Sequence, residues 1–258
     1  AQFEMTLEYT DALKAADDAF LFRVLARECA MAHGLRMTFL GQPVNGISGS
    51  GLHVNFSFID SNGENPLADD KSEDRLSTLS HQCLAGLCAH HQAMTPLLAP
   101  TVNAYRRIAV GGFAGIRASW GYDHRAVGNR VPPPRGSGTR IENRTADGAA
   151  STHLAVAAVL QAARLGVADA LVCPEPERGD GFENPVTDVV CGATLHEALR
   201  HLEADESFVD ALSADLVANF VFIKDLEWTK FTEAAPDHGT ADPTVATEWE
   251  LDYYRPFH

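Results

Sequence analysis

Thr139-Arg140-Ile141-Glu142-Asn143-Arg144-Thr145 alternates residue by residue. An extended strand here sets Ile141 and Asn143 on one face and Arg140, Glu142 and Arg144 on the other. Leu52-His53-Val54-Asn55-Phe56-Ser57-Phe58 repeats the pattern, with His53, Asn55 and Ser57 opposite a complete apolar face. Gln2-Phe3-Glu4-Met5-Thr6-Leu7-Glu8-Tyr9 does so again, with Phe3, Met5, Leu7 and Tyr9 on the side away from Glu4. Three half-buried strands, each with one polar face, predict an α+β fold: a mainly antiparallel, curved sheet with helices packed on its apolar face.

Helix signals fill the intervals. Thr10 and Asp11 are placed to cap a helix whose apolar residues include Leu13, Phe20, Val24 and Leu25, and Gly34 marks its end. Residues 37–39 read as a short strand, and Gly46, Gly49 and Gly51 make the turn into the strand at 52–58. A polar loop over 60–74 leads to a helix over 73–94 that stops before Pro96, with an irregular link from Pro100. Residues 105–130 predict two or three short strands broken by Gly111-Gly112 and Gly121, followed by a rigid Pro132-Pro133-Pro134 loop. An alanine-rich helix follows Thr145, and an acidic excursion covers 174–185. Helices are expected over 195–203 and 208–231, and residues 234–258 read as mostly irregular. Without repeats or low-complexity segments, residues 1–258 form one domain.

Composition narrows the partners. With 258 residues, 45% of them hydrophobic, the chain has apolar material for a sizeable core. A formal net charge of −15 opposes nucleic acid and anionic membranes. Five cysteines, with no CxxC pair, argue against a disulfide frame and for a reducing, cytoplasmic location. The most apolar stretch, 154–172, carries Gln161, Arg164 and Asp169, so it is unsuited to crossing a bilayer, and no signal peptide is evident. The chain opens without methionine directly in a strand pattern, so the first part of the natural protein is expected to be missing.

The polar faces carry the chemistry. Two carboxylates roughly 4 Å apart repel by about 4 kcal/mol at an effective dielectric near 20, so a face holding Glu4, His53 and Glu142 calls for a counterion. Carboxylates with one imidazole suit Mg2+ or Mn2+, which keep positions for water and phosphate. Arg106, Arg107, Arg125, Arg130, Arg140 and Arg144 cluster in an otherwise acidic chain and match anionic groups. Taken singly, a strand glutamate is usually solvated and a histidine usually structural. His81, His90 and His91 read as surface or packing residues, and Cys83 and Cys88 as small buried side chains. No GxSxG, Walker or GxGxxG motif stands in a suitable context.

Five segments in order resemble the glutamine synthetase family over nearly the whole chain: Gln2-Phe3-Glu4, Gly49-Ser50-Gly51-Leu52-His53, Asn103-Ala104-Tyr105-Arg106-Arg107, residues 125–130, and Arg140-Ile141-Glu142-Asn143-Arg144. The resemblance implies a catalytic domain lacking its N-terminal β-grasp domain and first catalytic strands. It further implies an ATP- and metal-dependent ligase. Glu4 would hold the metal facing glutamate, and His53 and Glu142 the metal beside the ATP phosphates. Arg125 and Arg130 would act on the phosphates as catalytic and nucleotide-binding groups, with Ser57 near the nucleotide. Arg107 and Arg144 would grip the carboxylates of glutamate, and the Gly49 turn its amino group. Family members share active sites within homo-oligomeric, often dodecameric, rings, so this fragment alone is expected to be inactive.

One departure bears on the nitrogen substrate. Where ammonia-using members carry a flap glutamate in a PGxEAP-like segment, this chain has Val110-Gly111-Gly112-Phe113-Ala114-Gly115, with Phe113 in the acid's place. An aromatic ring removes a cation site and leaves an apolar wall suited to an organic amine. Ser48 and Asn55 also depart from the family pattern, which has asparagine and a second histidine there. The expected activity is ATP-dependent formation of a γ-glutamyl amide from glutamate and an organic amine through a γ-glutamyl phosphate. The alternatives are an ordinary glutamine synthetase using ammonia and a non-catalytic family member.

Overall fold

The structure is a computed structural model and describes residues 2–235 and 242–256. Its sheet has four short strands among the described residues, in the order β1 (Val54–Phe56), β4 (Ile141–Asn143), β3 (Asn129–Val131), β2 (Trp120–Tyr122). β4 runs antiparallel to both its neighbours, and β3 pairs in parallel with β2. Register places Asn55 on one side of Glu142 and Arg130 on the other, so the polar residue of the decisive heptapeptide stands at the middle of the sheet. On the opposite face Phe56, Val131, Ile141 and Trp120 are buried. There the Asn143 side-chain amide donates to Asn129 Oδ1 at 3.0 Å, which satisfies two amides in an apolar setting.

Helices cover that face. α2 (Thr78–Ala89) is capped by Ser77, whose hydroxyl accepts from the Ser80 amide, and it crosses α5 (Thr152–Ala168) at close range. A Cβ on Gly86 would sit 2.1 Å from the Ala162 carbonyl oxygen, and one on Gly166 would sit 2.1 Å from that of Gln82. Nothing but hydrogen fits at either position.

Several sequence expectations are corrected. Residues 2–9 form no strand: Phe3, Met5 and Tyr9 are mostly exposed, because no described strand pairs with them and no core receives their apolar face. Residues 37–39 are likewise irregular. The helix capped by Asp11 forms as α1 (Ala12–Ala32) and ends at Gly34 with φ 69°, yet Leu13, Phe20, Val24 and Leu25 remain exposed and only Ala16 is buried. Polar contacts hold α1 down instead: Arg23 Nη1 donates to the carbonyls of Gly148 and Ala150, both at 2.8 Å.

The helix expected over 73–94 breaks at His90 into α2 and α3 (His91–Leu98). Pro96 lies inside α3, where the missing donor costs one bond only two residues before the helix ends. Residues 105–110 are helical rather than extended, because α4 (Val102–Val110) buries Val102, Tyr105 and Ile108 at three-residue spacing. Thr101 caps it.

α6 (Leu195–Ala204) forms as expected. The pattern over 208–231 divides into α7 (Glu206–Leu212) and α8 (Ala214–Ala234) at Ser213, whose φ of 96° no helix accepts. The stretch expected to be irregular at the C-terminal end includes α9 (Glu248–Tyr254), opened by a capping box between Thr247 and Glu250. Residues 236–241 and 257–258 of that stretch lie outside the described residues.

Candidate active site

Glu142 is the centre of the polar face. Arg130 Nη1 donates to its Oε2 at 2.7 Å, Arg144 Nη1 to its Oε1 at 2.7 Å, and His53 Nδ1 lies 3.0 Å from Oε1. Burial pushes the carboxyl's pKa up, but hydrogen bonds from His53 and Arg130 and the charge of Arg144 outweigh it and bring the value down to about 2. The group is therefore a carboxylate at any physiological pH. Register sets Asn55 opposite Glu142, and His53, two residues before Asn55 and so on the same face, reaches Glu142 along the diagonal.

The arginines are themselves tied in. Arg130 Nε donates to Asp123 Oδ1 at 3.0 Å, so Asp123 and Glu142 share it. Arg144 Nε donates to the Arg125 carbonyl at 3.2 Å, which brings the backbone of Arg125 beside Arg144. Arg107, projecting from α4, donates through Nη1 to Thr145 O at 2.9 Å and through Nη2 to Arg144 O at 3.3 Å, and so clamps the exit of β4. Arg140 Nε reaches Asn55 Oδ1 at 3.2 Å.

The glycine turn closes against this clamp. A Cβ on Gly49 would meet the Gly41 carbonyl oxygen at 2.3 Å and Arg107 Cγ at 3.0 Å. A Cβ on Gly51 would meet Arg107 Nη2 at 2.9 Å and His53 Nε2 at 3.5 Å. The turn therefore presents its backbone beside His53 and Arg107.

The residues singled out from sequence thus divide. His53, Arg130 and Arg144 each contact Glu142 directly, while Arg125, Arg107 and Gly49 adjoin them. Ser57 is exposed two residues beyond Asn55 on the same face, and Phe113 is exposed on the loop after α4. Glu4 is exposed and makes no hydrogen bond or ion pair among the described residues. Gln2 ties its segment to the turn, its side-chain amide donating to Gly49 O at 2.9 Å.

The family model for the catalytic domain of glutamine synthetase matches residues 1–241. The chain belongs to the glutamine synthetase family. A glutamine synthetase from Pyrococcus abyssi is 34% identical over 264 residues, covering 98% of this chain and 58% of the relative. One from Clostridium saccharobutylicum is 31% identical, covering 98% and 56%. A solved structure of GmaS bound to ADP superposes with a TM-score of 0.80 at 30% identity, covering 95% of this chain and 55% of that one. The chain spans little more than half the length of these relatives. Their family is one of ligases, and the fold described above is that of the glutamine synthetase catalytic domain.

Members of the glutamine synthetase family use ATP with divalent metal ions, so the donor set must be tested against such an ion. Among the described residues no three His, Cys, Asp or Glu side chains converge closely enough to enclose a metal. His53 and Glu142 nevertheless offer an imidazole and an ionised carboxylate 3.0 Å apart at the edge of the face. Hard cations such as Mg2+ and Mn2+ complete their coordination with water and phosphate oxygens, so this pair fits a cation shared with a phosphate ligand. Among the described residues no helix is long and apolar enough to cross a membrane.

Sequence reasoning missed Asp123, which shares Arg130, and Asp147. Asp147 is fully buried; its Oδ1 accepts from the Ala149 amide at 2.7 Å and its Oδ2 has no hydrogen-bond partner among the described residues. Burial raises its pKa to about 6 against the opposing charge of Arg107. An Asp-Gly pair reads as a turn signal, which concealed a carboxyl buried behind Arg107.

Proposed function

We propose that the protein is an ATP-dependent ligase that joins the γ-carboxylate of glutamate to an organic amine. The observation that carries this reading is the ionised Glu142, held by Arg130, Arg144 and His53 in a chain of the glutamine synthetase family. An ionised carboxylate resists attack by an amine, so one oxygen of the γ-carboxylate first attacks the terminal phosphorus of ATP. ADP leaves, and a γ-glutamyl phosphate forms. The amine nitrogen then attacks the acyl carbon, phosphate departs with the bonding pair, and the nitrogen loses a proton to give the amide.

Arg130 and Arg125 are assigned to the transferring phosphoryl group, where fixed cations stabilise charge that develops in the transition state. Arg144 and Arg107 are assigned to the carboxylates of glutamate, the Gly49 turn to its amino group and Ser57 to the nucleotide. His53 and Glu142 would hold Mg2+ or Mn2+ beside the ATP phosphates, and Glu4 a second ion facing glutamate. When bound, such ions neutralise phosphate charge and orient the oxygens. The chain's own part is to keep Glu142 ionised and to aim the arginines. That GmaS, similar in fold, has been solved with ADP supports an adenine nucleotide as the co-substrate.

Phe113 supports the organic amine, since it stands in the place of the flap glutamate that ammonia-using members carry. A homo-oligomeric ring in the cytoplasm is the assembly this reading carries with it. Phosphate release by the full-length protein with glutamate, ATP, Mg2+ or Mn2+ and a panel of amines tests the reading. Highest kcat/KM with an alkyl or aryl amine is expected. Preference for ammonium would retire the organic-amine assignment, and no release with any acceptor would favour a non-catalytic member.

A further inference from the structure

Phe113 does not stand alone. It meets Phe182 edge-on, with ring centroids 5.8 Å apart and planes at 64°. Both rings are about half exposed (57% and 45%). They come from different loops, Phe113 from the glycine-rich loop after α4 and Phe182 from the acidic excursion before α6.

Each loop is fastened to the arginine cluster within two residues of its ring. On the first, Thr145 Oγ1 donates to Gly115 O at 2.8 Å, and a Cβ on Gly115 would lie 3.0 Å from the Arg144 carbonyl carbon. On the second, Gly181 lies against Ala126 and His124, the two neighbours of Arg125, and a Cβ there would meet them at 3.3 and 3.4 Å. His124 Nε2 also lies 2.8 Å from Gly179 O. Since Arg144 Nε donates to Arg125 O, the two anchor points adjoin. The aromatic pair therefore joins two loops whose anchor points lie beside Arg125 and Arg144.

The second loop is built to stay there. Glu177 is buried, and its carboxylate accepts from the amides of Gly179 at 3.1 Å and Val186 at 2.9 Å, closing the segment that carries Phe182. Its own amide donates to Trp120 O at 2.7 Å, which ties the loop to β2. A ring held on such a base loses little freedom on binding a ligand, which favours contact energy over ordering cost.

We infer that Phe182, with Phe113, forms the wall of the acceptor pocket, so the acceptor is a primary amine bearing an apolar alkyl or aryl group. This rests on the organic-amine reading above. The wall contributes through apolar contact with the substituent. Ammonium has no substituent to bury and gains little from the wall.

The test is Phe182→Ala in the full-length protein, with kcat/KM measured for ammonium and for straight-chain primary amines of increasing length. In the unaltered protein kcat/KM rises with chain length. In Phe182→Ala the preference for the longer amines over ammonium falls on the order of tenfold, as expected for losing apolar contacts in a pocket. The loss resides in the KM of the amine, and Phe182→Leu recovers part of it. An equal fall for every acceptor would make Phe182 a loop staple and overturn the inference, as would an unchanged preference. If the unaltered protein itself prefers ammonium, the organic-amine reading fails and takes the inference with it. If it prefers organic amines and Phe182→Ala leaves that preference intact, only the inference fails.

Discussion

Among the described residues two buried glutamates meet arginine, and their surroundings differ. Glu250 on α9 has no exposed surface, pairs with Arg106 at 2.8 Å, and closes the capping box of its own helix. Its Oε2 accepts from the Asn103 side chain at 3.4 Å, and Asn103 Oδ1 accepts from the Gln42 amide at 2.8 Å. Each group there faces another protein group. Glu142 instead gathers Arg130, Arg144 and His53, and the His53 side chain is 32% exposed. A closed pair fixes an architecture, whereas an excess of cations at an open edge leaves charge for an anionic ligand.

The largest effect expected from breaking this contrast is Glu250→Ala. Leaving Arg106 buried and unpaired should cost about 3–5 kcal/mol of stability, read as a lower denaturation midpoint. Next in size, Glu142→Ala should lower kcat by about 10²–10³-fold, on the scale of losing one preorganised electrostatic group. Its effect on the denaturation midpoint should be smaller than that of Glu250→Ala, because Arg130 keeps Asp123. Equal destabilisation by the two substitutions would erase the distinction.

Asp147 sharpens the comparison as a buried carboxyl without an arginine in contact. Its pKa rises from 3.8 to about 6 on folding, so folding favours its protonated form. Stability is highest below pH 3.8 as far as this group is concerned, falls as pH climbs through about 6, and stays lowered above it. At 1.36 kcal/mol per unit the penalty at pH 7 is on the order of 2–3 kcal/mol. Asp147→Asn should recover much of that at pH 7, and denaturation midpoints from pH 4 to 7 would reveal it. Glu142 has the opposite sign: its lowered pKa contributes stability above about pH 4.5 that is lost as pH falls towards about 2. In Glu142→Gln that acid-limb loss should shrink, which is the smallest of these effects.

Much of the sheet was legible because alternation states both the strand and the face it turns to the core. The heptapeptide around Glu142 and the stretch around Val54 form strands with the anticipated sides. The stretch at residues 2–9 carries the same pattern and forms none, since a period of two specifies a strand only where a partner edge exists to pair with. Within the site, His53, Glu142 and Arg144 were foreseeable because they share that alternation, and Arg130 because it belongs to the run of arginines in an otherwise acidic chain. Phe182 and Asp123 were not, since they sit in turns whose residues carry no period. Tyr105 and Ile108 misled because a short apolar run suits either period until Val102 is counted with them.

The crossing of α2 and α5 at Gly86 and Gly166 is backbone against backbone, so no rotamers stand between the two rods. A contact of this sort cannot be retuned by repacking: even one methyl group must wedge the pair apart and carry the strands resting on them out of line. The molecule's tolerance for change is therefore narrow at two of its smallest residues.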